Sequence, residues 1–243
     1  MATVLLLGAT SDIAQAIARR FAEASYNLQL AARNSAQLEI LANDLRIRYQ
    51  VDVQTLAFEA TQYDSHVAFY EGLAPAPSVV IAVFGYLGDQ ARGQQDWKEA
   101  HAIIDTNYTG AVSVLNIVAE DFARRKGGTI VGISSVAGDR GRGSNYLYGS
   151  AKAGFSAYLS GLRNRMHAYK VRVITVKPGF VATRMTEGLD LPFLLTAKPA
   201  TVAQDVYQAV KGKRDVVYSK WFWKWIMTGI SLVPESMFKR LKL

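Results

Sequence analysis

Residues 3–14 read TVLLLGATSDIA. Residues 4–7 are continuously apolar, so Thr3–Leu7 predicts a strand covered on both faces, as in a parallel sheet flanked by helices. Gly8-Ala9-Thr10-Ser11 is a turn of small residues, and from Asp12 onward Ile13, Ile17 and Phe21 share one helical face. A strand that runs through a tight turn into a helix start makes an anion site. Unpaired backbone N–H groups and the positive helix end face the same point, and small residues let a pyrophosphate approach.

The same alternation continues outward from this stretch. Apolar strand patterns recur at 28–32, 51–57, 79–83, 129–134, 171–177 and 215–219, with helical patterns at 12–25, 35–49, 64–72, 96–125 and 146–169. Strand–helix–strand repetition predicts an α/β fold: a Rossmann-type doubly wound parallel sheet of about seven strands, helices on both faces and right-handed crossovers. With 243 residues, half of them hydrophobic, the chain fits one large domain. That domain is placed at 1–219, followed by an amphipathic helical tail at 220–243.

The first turn keeps only Gly8 of a strict glycine pattern; Asp12 and Ala14 stand where further glycines would be. Alone, the turn also suits an ordinary strand-to-helix connection. The end of the second strand sharpens the reading. It runs Ala31-Ala32-Arg33, with a guanidinium where NAD sites carry a carboxylate for the ribose 2′-hydroxyl. Unless Arg33 is simply a solvated loop residue, this favours the 2′-phosphate of NADPH (NADP+). Gly8, Thr10, Ser11, Asp12, Ile13 and Arg33 form the expected nucleotide end.

The chemical end is carried by Tyr148-Gly149-Ser150-Ala151-Lys152. Tyr and Lys four apart on a helix lie on one face, one turn apart. An ammonium beside a phenol is expected to lower the tyrosine pKa from about 10 and fit Tyr148 for acid–base work on a carbonyl or alcohol. Such a pair is commonly structural, so context decides. Ser134-Ser135 ends a buried strand, Ser135 thirteen residues before Tyr148. Asn107 sits inside a helical pattern, where Asn is unfavourable without a specific role.

In this order and spacing, the Gly8 turn, Asn107, Ile133-Ser134-Ser135, Tyr148…Lys152 and the run Lys177-Pro178-Gly179-Phe180-Val181-Ala182-Thr183 resemble the short-chain dehydrogenase/reductase family over residues 3 to about 210. The resemblance implies that Ser135 hydrogen-bonds the substrate carbonyl and Tyr148 donates the proton. Lys152 would lower the tyrosine pKa and hold the nicotinamide ribose, and Asn107 would hold a water of the proton relay. Pro178, Gly179, Val181 and Thr183 would line the nicotinamide, with Glu59 toward the adenine and Gly85 closing the fourth strand. The chain departs from the family in having Ala82-Val83-Phe84-Gly85 where Asn-Asn-Ala-Gly is common, and Ala14 for the last glycine of the first loop. These departures suggest a side branch, and residues 4–11, 84–89, 107–109 and 233–239 resemble one that acts on a keto-sugar carried on a polyprenyl phosphate, whose reductase works beside a partner oxidase as an epimerase pair.

The net charge is +8, and residues 211–243 hold eight basic and two acidic side chains, so this C-terminal span carries +6 and the rest of the chain is nearly neutral. A basic end on a neutral body predicts a local anionic contact rather than nucleic-acid binding. Residues 220–233 read KWFWKWIMTGISLV; as a helix they put Lys220, Lys224, Thr228 and Ser231 on one stripe. The apolar run is too short to span a bilayer. The tail therefore lies in a membrane interface, or packs on its own domain or a second copy. Cysteine is absent, and residues 4–7 are too short an apolar run, with no basic segment before them, to read as a leader. The expected location is cytoplasmic, peripheral to the inner face of the membrane. His66, His101 and His167 show no metal spacing and are expected at the surface, so no metal is expected. Residues 185–199 are read as a lid; the segment is apolar (Leu189, Leu191, Phe193, Leu194, Leu195) and predicts a greasy pocket.

Together these features predict an NADPH-dependent reduction of a ketone to a secondary alcohol, on a small-molecule or lipid-linked substrate. Two alternatives stand beside it: a soluble carbonyl or 3-oxoacyl reductase, and a catalytically silent NADP-binding sensor. The long helices at 96–125 and 146–169 are the kind that pair into homo-oligomers in the family.

Overall fold

In the computed structural model, residues 1–188, 190 and 192–241 are described. Leu189 and Leu191 of the expected lid, and Lys242 and Leu243 of the tail, lie outside them. The chain runs β1 (Thr3–Leu7), α1 (Asp12–Glu23), β2 (Asn27–Ala32), α2 (Glu39–Tyr49), β3 (Val53–Ala57), α3 (His66–Glu71), β4 (Val79–Ala82), α4 (Gln90–Gly93) and α5 (Trp97–Ile104). It continues α6 (Gly110–Arg125), β5 (Thr129–Ile133), α7 (Tyr146–His167), β6 (Arg172–Pro178), α8 (Pro199–Lys211), β7 (Val216–Ser219), α9 (Trp223–Leu232) and α10 (Glu235–Phe238).

The seven strands form one parallel sheet in the order β3-β2-β1-β4-β5-β6-β7. The continuous apolar runs are explained by their place: β1, β4 and β5 are central, and every residue in them is buried. Alternate side chains serve opposite faces. Val4, Leu6, Leu28 and Leu30 join Ile17, Phe21, Leu45 and Val206 beneath α1, α2 and α8. Leu5, Leu7, Val80 and Ile130 join Val114, Phe122, Phe155 and Leu159 beneath α6 and α7. The strand order reverses between β1 and β4, and in open α/β sheets the crevice beyond the carboxyl ends at that reversal is the ligand site.

The structure corrects three expectations. The helical pattern at 96–125 is broken into α5 and α6 by a π-turn at Asp105–Thr109. Asn107 supplies the cause: its Nδ2 donates to the Ile103 carbonyl, 2.8 Å away and four residues back, and so competes with the backbone ladder. His66 is not at the surface. It is fully buried, its ring stacked on Phe58 at 5.2 Å, and its nitrogens meet Ser113 Oγ and the Glu59 carbonyl.

The tail is the third correction. Lys220 takes a left-handed φ of 58°, so the helix starts only at Trp223, and Lys220 leaves the expected stripe to donate to the Leu194 carbonyl. Lys224, Thr228 and Ser231 are exposed, but so are Trp225 and Leu232, while Trp223 and Met227 pack with Val136, Phe180 and Leu195. The tail is thus divided between a face docked on its own domain and an exposed face. No described helix is long and apolar enough to cross a membrane.

Candidate active site

The carboxyl ends of the central strands open into one cleft of about 1300 Å³. Gly8, Thr10, Ser11, Asp12, Ile13, Arg33, Glu59, Gly85, Ser135, Tyr148, Lys152, Pro178, Gly179, Val181 and Thr183 all line it. Of the residues singled out from the sequence, only Asn107 does not. It lies behind the wall, 1% exposed, with Nδ2 donating to Tyr86 O at 2.6 Å and Oδ1 accepting from Tyr86 N at 3.2 Å. Both ends of its carboxamide hold the loop after β4.

At the nucleotide end, Gly8 has a φ of +89°, and a Cβ there would stand 2.6 Å from the Phe84 backbone nitrogen. Glycine is required on both counts. Ser11 caps α1 by accepting from Ala14 N at 3.2 Å. Among the described residues, no acceptor takes the Asp12 or Ile13 amide, so the first turn of α1 presents unpaired donors beside the cleft. These donors and the glycine cradle fit a pyrophosphate. Arg33 follows β2 directly, with its side chain 83% exposed and Nε 4.0 Å from a Glu59 oxygen, free to turn toward a ligand at the rim.

One contact at this end is absent from the sequence reading. The Asp12 carboxylate accepts from Arg184 N at 2.8 Å and Arg184 Nε at 2.9 Å, and Arg184 also donates to the Thr10 carbonyl at 2.6 Å. The segment after β6 is thereby tied across the first turn. The only sequence signal was a cation shortly after the 177–183 run, and nothing local pairs it with Asp12.

At the chemical end, Lys152 is 3% exposed and its Nζ donates to the Ile133 carbonyl at 3.2 Å, 5.6 Å from the Tyr148 ring centre. Burial pushes the lysine down to about 8. Burial likewise pushes the Tyr148 phenol up to about 12, with the Ser135 hydroxyl pulling the other way. The structure thus departs from the expectation of an ammonium-lowered phenol: Lys152 is not among the groups that move it, desolvation outweighs the Ser135 hydrogen bond, and Tyr148 is held as an acid. Gly85 is wedged between the parts, since a Cβ on it would lie 2.8 Å from Asn107 Oδ1 and 3.5 Å from Lys152 Nζ. Ser135 Oγ accepts from Ala137 N at 3.1 Å, which fixes the side chain at the end of β5.

Comparison with known proteins agrees with this architecture. The short chain dehydrogenase family model matches residues 2–191. The chain is 38% identical over 244 aligned positions to an uncharacterized oxidoreductase of Mycobacterium tuberculosis, covering 99% of this chain and 97% of that protein. It is 34% identical to an uncharacterized oxidoreductase of Streptomyces coelicolor, covering 98% and 95%. A short-chain dehydrogenase from Sphingobium yanoikuyae, solved in complex with NADPH, superposes with a TM-score of 0.82 at 22% identity, covering 98% of each chain, a likeness of fold. With the family model spanning most of the chain and relatives matched nearly end to end, the chain belongs to the short chain dehydrogenase family and is an NAD(P)-dependent oxidoreductase.

Proposed function

We propose that the protein reduces a ketone to a secondary alcohol with NADPH, and that Ser135, Tyr148 and Lys152 carry the chemistry. The observation that carries this reading is the convergence of Tyr148, Ser135 and buried Lys152 on one cleft whose other end is a phosphate cradle. Bound NADPH supplies the hydride. The Tyr148 hydroxyl, kept protonated by burial, gives its proton to the carbonyl oxygen as that oxygen gains charge, and is reprotonated from solvent. Ser135 orients the carbonyl, and Lys152 holds the nicotinamide ribose hydroxyls. Asn107 positions the loop at Gly85 and Tyr86 against Lys152. Pro178, Gly179, Val181 and Thr183 line the nicotinamide. Glu59 lies toward the adenine, and Arg33 reads the 2′-phosphate. The NADPH of the Sphingobium relative supports this cofactor.

For the substrate, residues 4–11, 84–89, 107–109 and 233–239 resemble the reductase half of the decaprenylphosphoryl-ribose 2′-epimerase. We assign a keto-sugar on a polyprenyl phosphate, with a partner oxidase completing the pair. In this reading residues 1–219 form the catalytic domain, and 220–243 bring it to the membrane surface. Support comes from exposed apolar residues near the Lys220–Leu194 contact: Trp221 and Trp225 on the tail, Phe193 and Leu194 on the lid. The burial of Trp223, Met227 and Phe238 favours a second reading, a reductase of small ketones whose tail only completes the fold.

Tyr148→Phe removes the phenolic proton and keeps the ring. NADPH-dependent turnover is expected to fall by ~10² or more, with NADPH binding by fluorescence titration retained. Near-normal turnover in this variant removes the assignment.

A further inference from the structure

Three buried polar atoms without a partner sit at the substrate end of the cleft: Arg142 Nε, Gln90 Nε2 and Asn145 Oδ1. Buried polar groups are ordinarily satisfied, and a half-buried cation ordinarily has a counter-charge. Among the described residues the Arg142 guanidinium makes no ion pair and no hydrogen bond, and burial lowers its pKa against the opposing pull of Asp139. Asp139 is the acid that acts on it, but that carboxylate already accepts from Lys177 Nζ and from Tyr218 Oη at 3.0 Å.

The segment carrying Arg142 is held in place from outside the cleft. Arg140 donates to Glu235 Oε2 at 2.6 Å and to the Ser231 carbonyl at 3.3 Å, and lies 4.2 Å over the Phe238 ring. On the cleft side, Gln90 Oε1 accepts from Leu147 N at 3.0 Å, which fixes its carboxamide and leaves Nε2 as a free donor. One cation, one amide donor and one amide acceptor thus line the same cleft unpaired, Asn145 bonded through its backbone N–H to the Arg142 carbonyl and Gln90 bonded to Leu147, the residue before the proton donor.

We propose that Arg142, with Gln90 and Asn145, forms a subsite for a phosphate group on a hydroxylated ketone, Arg142 and Gln90 Nε2 meeting the phosphate and Asn145 Oδ1 accepting from a hydroxyl. This rests on reading the same cleft as a ketoreductase site. A guanidinium fork matches phosphate geometry, and a charge-assisted contact at a desolvated position gives roughly tenfold or more in affinity. The phosphate chemistry is shared by a free sugar phosphate and a lipid-linked one.

The test is calorimetric titration of the NADP+-saturated protein with D-ribulose 5-phosphate, D-ribulose and farnesyl phosphate. Wild type is expected to bind ribulose 5-phosphate at least tenfold more tightly than ribulose, Arg142→Gln to lose that ratio, and Arg142→Lys to keep part of it. Farnesyl phosphate that competes and depends on Arg142 upholds the subsite with a lipid phosphate as its source. Arg142 dependence of ribulose 5-phosphate alone upholds it with a free sugar phosphate. A melting curve for Arg142→Gln like that of wild type shows that the loss is local, and where that variant does not fold, Gln90→Leu reads the same ratio. Equal affinity for sugar and sugar phosphate in wild type, or a ratio kept in folded Arg142→Gln, overturns the proposal. Because the titration reads binding only, unimpaired turnover in Tyr148→Phe would remove the reductase reading and leave this result standing.

Discussion

Lys152 is kept at a cost to the fold, and that cost has a measurable sign. Its pKa is lowered by burial to about 8 from an ordinary 10.5, so the folded state favours the neutral amine. Between these values the unfolded chain holds the proton and the folded chain does not, so the contribution to stability rises with pH across that window. Below about 8 the folded state carries the buried ammonium and its full desolvation cost. Reduction, by contrast, needs that ammonium on the ribose side of Tyr148, so kcat/KM is expected to fall as pH rises through about 8. Tyr148, pushed up to about 12, stays protonated throughout and adds no limb there. The prediction is therefore a window in which activity falls while the stability penalty at this site is relieved. Lys152→Met should unfold at a higher denaturant concentration than wild type at pH 7, with the gap closing toward pH 10, and should lose activity at every pH. A variant less stable than wild type at pH 7 would show that the contact to the Ile133 carbonyl outweighs desolvation.

At the scale of the element, the tail helix α9 is part of the catalytic domain's wall. Trp223 meets Phe180 edge-on at 5.5 Å, donates from Nε1 to the Leu195 carbonyl at 3.2 Å, and fills the space a Cβ on Gly179 would need, 2.0 Å from Nε1. Trp223→Ala should cost about 3–5 kcal/mol by the lost transfer energy and the cavity, read as a lower urea midpoint. An unchanged midpoint would detach the tail from the fold. Elements such as these also show what was legible in the sequence. The strands were, because a strand buried on both faces must be apolar throughout, and so was the Tyr148–Lys152 pair, because one helical turn joins them. Asn107 signalled itself as a mid-helix misfit, although what it holds is a loop twenty-one residues earlier. The tie from Arg184 to Asp12, 172 residues apart, left no periodic trace. The burial of His66 and the unpaired state of Arg142 are properties of packing that local spacing does not encode. The division of α9 into docked and exposed faces was hidden for another reason: its aromatic residues occupy both faces, and hydrophobicity alone does not choose between a protein wall and a lipid surface.

For the whole molecule, charge and apolar exposure meet on the tail. Residues 220–243 hold five basic side chains and one acidic one, a net +4, on the same segment as exposed Trp221, Trp225 and Leu232, and Lys220 links that segment to the Leu194 carbonyl, next to Phe193, which is 90% exposed. A polyprenyl-linked substrate is effectively insoluble, so an enzyme acting on one must work at the lipid surface. Basic side chains near an anionic surface contribute about 1 kcal/mol each, weakened by salt, and tryptophan suits the headgroup level. The fold limits which residues can test this. Replacing Trp223 along with its neighbours would unpick the wall and confuse unfolding with undocking, whereas Trp221 and Trp225 are free on the outside. Wild type is expected to sediment with vesicles of phosphatidylcholine and phosphatidylglycerol at low salt, to be partly released at high salt, and to leave pure phosphatidylcholine vesicles largely unbound. The Trp221→Ser, Trp225→Ser double variant should stay in the supernatant, melt as wild type does, and still reduce a small water-soluble ketone. Should the double variant sediment as fully as wild type, the aromatic face is not the contact. A double variant with a lowered melting temperature would assign those two side chains to an interface with a second copy instead, and the docking surface would have to be sought elsewhere on the molecule.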